Sequence, residues 1–166
     1  VSSTDPVPAD VLVSGDETSF VYDNQGEALT KLTGAYNIDR EYISLGNVAN
    51  TYIADAFISI EDERFESHIG IDPRRIASAV FSLATNRGTA THGGSTIVQQ
   101  TVKLLTGDDQ RSAQRKFQEW YRAIILDQQL SKDEIMELYI NLVPMANSYV
   151  GIQSASKAYF RKDASE

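Results

Sequence analysis

Signals that start and stop helices recur between residues 72 and 139, and they constrain this chain more than any other feature of its sequence. Asp72-Pro73 predicts an N-terminal cap followed by a first helical turn. Ser95 or Thr96 is expected to cap a second helix, which Gly107 would end. Apolar residues recur at helical spacing between these signals. The middle of the chain is therefore predicted to be a set of short helices.

The longest predicted helix runs from about Gln110 to Leu130. A capping box, Ser131-Lys-Asp-Glu134, predicts another helix directly after it. One apolar stripe of the long helix is expected to face the core: Phe117, Trp120, Tyr121, Ile124 and Ile125. The aromatic residues of this stripe are interpreted as core, not as a cofactor site.

The N-terminal part of the chain carries a strand signal. Phe20 to Leu32 alternate around Asp23-Asn-Gln-Gly26, which is typical of a β-hairpin. Residues 1–19 have prolines among small polar residues and are interpreted as linker-like, whereas residues 20–166 are expected to form one domain. The predicted class is mainly α with a minor N-terminal β element.

Composition excludes several functions. The 166 residues are 42% hydrophobic, which suffices for one core, and they include no cysteine and only two histidines, so a structural zinc site is not expected. A net charge of -8 argues against nucleic acid as a partner. Residues 61–132 nevertheless carry nine acids and ten bases, so an anionic ligand is expected there. No stretch approaches the roughly 20 apolar residues that would span a bilayer.

The run from Glu61 to Asp72 concentrates acids with an arginine and a histidine. Such a run can be a solvated surface. However, the apolar Ala56-Phe-Ile-Ser-Ile60 before it would carry Glu61 to the edge of the core, where a carboxylate can act as a general base. His68 is interpreted as a hydrogen-bonded structural residue.

A second candidate site is Gly93-Gly-Ser-Thr-Ile-Val-Gln-Gln-Thr-Val-Lys103. Its two glycines would let a ligand approach the backbone, and the N–H groups of the following helix suit a phosphate. The amides of Gln99 and Gln100 could bind sugar hydroxyls as donor and acceptor. An ordinary glycine loop with a helix cap is an equally good interpretation of the pattern alone. His92 is expected to be exposed.

Arg111, Arg115, Glu119 and Arg122 are spaced by four, four and three residues, so they share the helix face opposite the aromatic stripe. Lys116 lies beside them. Like charges four residues apart repel one another mildly, which favours an anion between the arginines. The alternative is a solvated stripe in which Glu119 pairs with Arg115.

Together these motifs resemble glycosyltransferase family 51, the transglycosylase domain of penicillin-binding proteins and monofunctional peptidoglycan glycosyltransferases. Its first motif, Glu-Asp-x-x-Phe-x-x-His-x-Gly-x-Asp, matches Glu61 to Asp72, and its second matches Gly93 to Lys103. The third, Arg-Lys-x-x-Glu, is Arg115 to Glu119, and the fourth is Lys132 to Asn141 with two conservative changes. The resemblance implies a lysozyme-like helical fold with a small mobile lobe.

By that resemblance the chain polymerises lipid II, with the growing glycan on undecaprenyl pyrophosphate as donor and the lipid-linked disaccharide as acceptor. Glu61 would deprotonate the acceptor's 4-hydroxyl for inverting attack, and Glu119 is the second acid of the family. The cations expected to stabilise the leaving pyrophosphate are Lys103, Arg111, Arg115 and Lys116. Further residues expected to line the cleft are Asp62, Arg64, Ser95, Thr96, Gln99 and Gln100.

The resemblance also implies partners and a location. No cofactor is obligatory and no metal ligand is assigned, although a divalent cation, Mg²⁺ or Mn²⁺, could accompany the pyrophosphate. The expected partners are lipid II, the growing glycan strand and the outer surface of the bacterial membrane through an anchor. A linked transpeptidase domain is a further partner if the parent protein is bifunctional, which the sequence leaves open. The expected location is the extracytoplasmic face of the bacterial cell membrane.

The sequence departs from the family in two places. The fifth family motif, an Arg-Arg pair, is missing before the chain stops at Glu166, so an excised fragment of the domain is expected. Met145-Ala-Asn-Ser-Tyr149 replaces a loop that is usually richer in glycine. Two other functions stay open: a non-catalytic module that binds lipid II or glycan, and a lysozyme-like hydrolase using Glu61 and Glu119 as a carboxylate pair.

Overall fold

The computed structural model describes residues 19–22, 28–32, 39–85, 94–107 and 112–166. Helices dominate these ranges: α1 (Ile53–Glu61), α2 (Pro73–Thr85), α3 (Ile97–Thr106), α4 (Ala113–Gln129), α5 (Lys132–Leu142) and α6 (Ile152–Phe160). The mainly helical class expected of a lysozyme-like domain is confirmed. The helices α2 to α5 are the four predicted ones, whereas α1 and α6 were not predicted. Within the described ranges, none of the helices is long and apolar enough to cross a membrane.

Two short strand pairs accompany the helices. The strands β1 (Ser19–Tyr22) and β2 (Ala28–Leu32) pair antiparallel, which confirms the minor N-terminal β element. The predicted turn between them, and residues 1–18, lie outside the described residues. The strands β3 (Asp39–Arg40) and β4 (Tyr149–Val150) form a parallel pair that the sequence did not predict. This second pair ties the segment before α1 to the segment before α6.

A side-chain cap begins α3 and a glycine ends it. Thr96, not Ser95, is the N-cap: its hydroxyl accepts the Gln99 backbone N–H at 3.1 Å. The Gln99 side chain accepts the Thr96 backbone N–H at 3.0 Å, which completes a capping box. Gly107 ends the helix in the left-handed conformation, with φ of 62°. Both predicted helix ends are confirmed.

The next two helices follow each other closely. Ser112 caps α4, which begins at Ala113 and so starts three residues later than the expected Gln110. The hydroxyl of Ser131 accepts the backbone N–H of Glu134, whose carboxylate accepts the Ser131 N–H at 2.7 Å. This confirms the capping box predicted for α5.

The core surrounds α3, which packs against both α4 and α5. Its most buried aliphatic side chains, at most 1% exposed, are Ile97, Val98, Val102, Leu126, Ile135 and Ile140. Helix α1 joins this core through Phe57, whose ring meets that of Tyr139 edge-on, with the centroids 5.3 Å apart. Burial of this apolar surface holds α1, α3 and α5 together, so residues on these helices keep fixed relative positions.

The apolar stripe predicted for α4 is wrong at two positions. Phe117 is 64% exposed and Tyr121 is 49% exposed, whereas the buried residues of α4 are Glu119, Ala123 and Leu126. The reason lies in the tertiary contacts of α4. The face that carries Glu119 packs on α3, where the carboxylate has hydrogen-bond partners, and the loop at Gly70 lies close to the backbone of Ala123.

The loop that departs from the glycine-rich family pattern adopts a backbone that glycine favours. Asn147 and Ser148 have φ of 60° and 68°, in the left-handed region. Asparagine tolerates this conformation, but a residue without its local hydrogen bonds is strained there by about 1–2 kcal/mol. The loop therefore adopts this conformation at some cost in stability.

Asp72 begins α2 as predicted. Its Oδ1 accepts the Arg74 backbone N–H at 2.9 Å, and its Oδ2 accepts the Arg64 Nε–H at 2.7 Å. Burial raises the pKa of the Asp72 carboxyl, but the hydrogen bonds from Arg64 and from the first-turn backbone outweigh it, so the pKa is lowered from its ordinary 3.8. A carboxyl of this kind stabilises the fold above its unfolded pKa and stops doing so as pH falls through its folded pKa.

We expect Asp72→Asn to lower the free energy of unfolding by about 1 kcal/mol near neutral pH, because the partly exposed ion pair with Arg64 is lost while an amide can still cap the helix. The difference should shrink as pH falls below 3.8 and the parent carboxylate becomes protonated. Urea unfolding at several pH values measures it, with Glu66→Gln as an exposed control. A difference that does not change with pH would contradict the role of this charge.

Candidate active site

Glu61 is the last residue of α1 and is half-buried beside α3. Its Oε2 accepts a hydrogen bond from Gln100 Nε2 at 2.9 Å. The Gln100 amide oxygen accepts the Tyr139 hydroxyl at 3.1 Å. Burial first, and then the negative charge of Glu61, raise the pKa of Tyr139 to about 12. The side chain that binds Glu61 is that of Gln100, a neutral amide. It orients the carboxylate and adds no charge beside it.

Glu119 is held very differently. It lies on the buried face of α4 and is only 5% exposed. Its Oε1 accepts Gln99 Nε2 at 3.1 Å and the ammonium of Lys116, and its Oε2 pairs with the Arg115 guanidinium at 2.9 Å. A buried charge is tolerated only with such partners. The carboxylate in turn fixes where the two cations lie.

Positive charge collects between α3 and α4. Lys116 also donates to Ser95 Oγ at 2.8 Å, which joins α4 to the residue before the α3 cap. Lys103, Arg115 and Arg122 line one small cavity there, together with a single acid. Lys103 lies on the solvent side of α3. Three bases around one acid favour an anion as ligand.

Asp62 binds the backbone at the start of α3. It is 0% exposed, and its Oδ2 accepts the Ile97 backbone N–H at 2.9 Å and the His68 Nε2–H at 2.8 Å. His68 Nδ1 accepts the Gly70 N–H at 3.1 Å, so the neutral ring carries its proton on Nε2. The prediction that His68 is a hydrogen-bonded structural residue is confirmed.

Three residues that were expected to line the cleft, Asp62, Thr96 and Gln99, are all 0% exposed. Asp62 binds the α3 backbone, the Thr96 hydroxyl donates to Gly70 O at 2.7 Å, and the Gln99 amide donates to Glu119. Each of the three side chains is therefore bound to other groups of the protein through at least one polar atom. None of the three is accessible to a ligand in this structure, which the sequence did not predict, because spacing does not distinguish a buried polar side chain from an exposed one.

The remaining predicted residues fall into three groups. Arg64 is turned toward Asp72, at 2.6 Å from its Oδ2, and is 37% exposed. Arg111, Gly93 and His92 lie outside the described residues. Those brought around α3 and at least partly accessible are Glu61, Ser95, Gln100, Lys103, Arg115 and Lys116. Sequence reasoning missed Tyr139, for which the available signal was its place in the fourth motif.

Two adjacent glutamines of α3 thus bind two carboxylates of different surroundings: Glu61 of α1 has a neutral partner, and Glu119 of α4 lies among cations. A family model described as transglycosylase matches residues 25–166. The chain belongs to the transglycosylase family, and the family prediction is confirmed.

The chain is similar to two kinds of relative. Penicillin-binding protein 1A of Clostridium tetani is 35% identical over 170 residues, covering 100% of this chain and 21% of the relative. Penicillin-binding protein 1A of Clostridium botulinum is 34% identical over 169 residues, covering 100% of this chain and 20% of the relative. A monofunctional glycosyltransferase of Staphylococcus haemolyticus is 42% identical over 119 residues, covering 72% of this chain and 43% of the relative. The chain thus spans about a fifth of the length of these penicillin-binding proteins.

Proposed function

We propose that this chain polymerises lipid II into glycan strands, by inverting transfer from an undecaprenyl-pyrophosphate-linked donor to the 4-hydroxyl of the acceptor disaccharide. The observation that carries the proposal is the pair of carboxylates linked by α3. Gln100 binds Glu61 without a charge, and Gln99 binds Glu119 among cations. Adjacent residues of one helix thus couple a base to an anion site. Membership of the transglycosylase family supports the same reaction.

Glu61 is the general base in this proposal. Its free carboxylate oxygen takes the proton of the acceptor's 4-hydroxyl while that oxygen attacks the anomeric carbon of the donor. The new glycosidic bond forms on the face opposite the pyrophosphate, as the bond from the anomeric carbon to the phosphate oxygen breaks. The leaving group departs as an anion and needs no proton. One carboxylate is therefore sufficient, and the proton on Glu61 returns to solvent.

The second carboxylate serves the leaving group indirectly. Negative charge grows on the pyrophosphate as the bond breaks, and preorganised cations stabilise such charge most effectively. Glu119 fixes Lys116 and Arg115 by ion pairs, and Lys103 of α3 lines the same small cavity as Arg115 and Glu119. Glu119 is thus the organiser of the cations in this mechanism.

A divalent cation at the pyrophosphate, Mg²⁺ or Mn²⁺, fits these residues poorly as a resident group. Both oxygens of Glu119 are engaged by Arg115 and Lys116. In the part of the chain that the structure describes, no group of three or more His, Cys, Asp or Glu side chains could hold a metal. No step of the mechanism runs through a metal, and such a cation would arrive with the substrate.

The surroundings of Glu119 argue against the hydrolase. A lysozyme-like pair needs one carboxyl that carries a proton for the leaving sugar oxygen. Glu119 is instead paired with a cation on each oxygen, Arg115 on one and Lys116 on the other. The chain offers cations where a hydrolase needs an acid.

The proposed substrates set the location and the partners. Both sugars carry lipid tails, so the chain would work at a bilayer surface, on the extracytoplasmic face of the bacterial cell membrane. Lipid II and the growing glycan strand are the proposed partners. A linked transpeptidase domain is the further partner implied by the resemblance to penicillin-binding proteins.

The test is polymerisation of lipid II by this chain in detergent micelles, with products resolved by length and released undecaprenyl pyrophosphate measured in parallel. We expect a ladder of longer glycans and one pyrophosphate released per new bond. Shortening of preformed glycan would support the hydrolase. Binding of lipid II without either product would support the binding module.

Lys116→Gln should lower kcat about 10²-fold, because one preorganised charge at the leaving group is lost. Glu119 keeps Arg115 and Gln99 in this variant, so the fold should be retained. Lys162→Gln removes the same charge from an exposed position and serves as the control. Equal rates in the two variants would contradict the role of Lys116.

A further inference from the structure

Tyr139 carries a buried hydroxyl that the mechanism above does not use. The residue is 1% exposed, and its ring meets Phe57 of α1 edge-on, at an interplanar angle of 89°. The same helix α1 ends at Glu61. The Tyr139 ring is therefore clamped by the element that carries the base, and its hydroxyl has a fixed place in the core.

The hydroxyl meets the amide that binds the base. The amide of Gln100 accepts from Tyr139 through Oε1 and donates to Glu61 through Nε2. An ionised carboxylate only accepts and an amide nitrogen only donates, so one orientation of the amide satisfies Glu61. A hydroxyl that donates to the far side of the amide stabilises that same orientation. Without it, the half-buried amide would be held at one end only.

The pKa of the Tyr139 hydroxyl agrees with its role as a hydrogen-bond donor. Burial, followed by the charge of Glu61, raises the pKa of Tyr139 to about 12. The hydroxyl therefore keeps its proton at any pH at which cells make glycan. It remains a hydrogen-bond donor throughout the reaction.

We propose that Tyr139 is a positioning residue for the base: it fixes the Gln100 amide, and through it the carboxylate of Glu61. The importance of this for turnover rests on the proposed function of Glu61. The arrangement itself does not, because it concerns only the order of a side chain in the folded protein. Two measurements separate these claims.

The first measurement is NMR relaxation of the Gln100 side-chain NH₂ group in the parent chain and in Tyr139→Phe. Phenylalanine keeps the ring that packs on Phe57 and removes only the hydroxyl. We expect the order parameter of the Gln100 NH₂ group to fall in the variant to below about 0.6, the range of flexible groups, and the carboxyl carbon resonance of Glu61 to move. Tyr149→Phe removes a hydroxyl elsewhere and should change neither signal. An unchanged order parameter in folded Tyr139→Phe overturns the proposal.

The second measurement is a double-mutant cycle on lipid II polymerisation with Tyr139→Phe and Gln100→Ala. Tyr139→Phe should lower kcat about tenfold and leave KM within about twofold, because the effect falls on the base and not on substrate binding. In the Gln100→Ala background it should have no further effect, since it acts through that amide. Additive losses would indicate that Tyr139 acts by another route and would overturn the proposal.

The two measurements distinguish failure of the proposed function from failure of the positioning role. If the parent chain does not polymerise lipid II, the proposed function fails, and the order parameter still decides whether Tyr139 fixes Gln100. If the parent chain polymerises lipid II and Tyr139→Phe does not differ from it in either measurement, the proposed function stands. The positioning role of Tyr139 is then overturned.

Discussion

Glu61→Gln should reduce the rate of lipid II polymerisation by about 10²–10⁴-fold, the contribution expected of a general base. Glutamine has the same shape but cannot take a proton from the acceptor hydroxyl. Its amide oxygen can still accept the Gln100 hydrogen bond that holds Glu61 at 2.9 Å. The variant should therefore unfold at the same temperature as the parent and still bind lipid II. The loss should appear in kcat.

Glu63→Gln provides the matched control, since Glu63 is an exposed acid two residues further along the chain. It should polymerise at the parent rate. Initial rates at saturating lipid II, with thermal unfolding of each variant, measure the comparison. A Glu61→Gln chain that keeps more than about a tenth of the parent rate would place the base elsewhere.

Local chemistry explains which parts of the fold were predictable. The caps of α3 and α5 consist of hydrogen bonds between residues three apart, Thr96 with Gln99 and Ser131 with Glu134. The residue types at these positions are therefore enough to locate the helix starts. The same holds for Asp72, which bonds the backbone two residues further on.

Tertiary contacts explain the errors. Periodicity shows that α4 has an aromatic face and a charged face, but it does not show which one packs on α3. Glu119 of the charged face is buried, and its partner there is Gln99, which comes 20 residues earlier in the chain. No pattern within α4 contains that information. Phe117 and Tyr121 are consequently exposed where core positions were expected.

The candidate site divides in the same way. Sequence motifs selected Glu61, Glu119 and the cations as a set, and the structure links the two carboxylates to neighbouring glutamines of α3. Motifs do not separate residues that can meet a ligand from residues that hold the site in shape. Asp62 and Thr96 are both buried, and their partners are groups of the protein itself: the Ile97 N–H and His68 for Asp62, and the Gly70 oxygen for Thr96.

Gly70 is the position where the largest loss of stability is expected. Its φ is 86°, and a Cβ placed there would lie 2.3 Å from the backbone oxygen of Ala123 in α4. Its own groups are already engaged, since the N–H donates to His68 and the oxygen accepts the Thr96 hydroxyl. The loop and α4 therefore approach so closely that only glycine fits.

Gly70→Ala should lower the free energy of unfolding by about 2–5 kcal/mol, the sum of left-handed strain and of overpacking against a backbone. Gly107→Ala isolates the strain, because its φ is 62° and nothing lies within 4 Å of the added Cβ, so about 1–2 kcal/mol is expected. Gly46→Ala has neither cost and should change stability by less than about 0.5 kcal/mol. Urea unfolding of the three variants measures the series. Equal losses for Gly70→Ala and Gly107→Ala would show that the loop can move away from α4 at no cost, and that the first motif is not held against that helix.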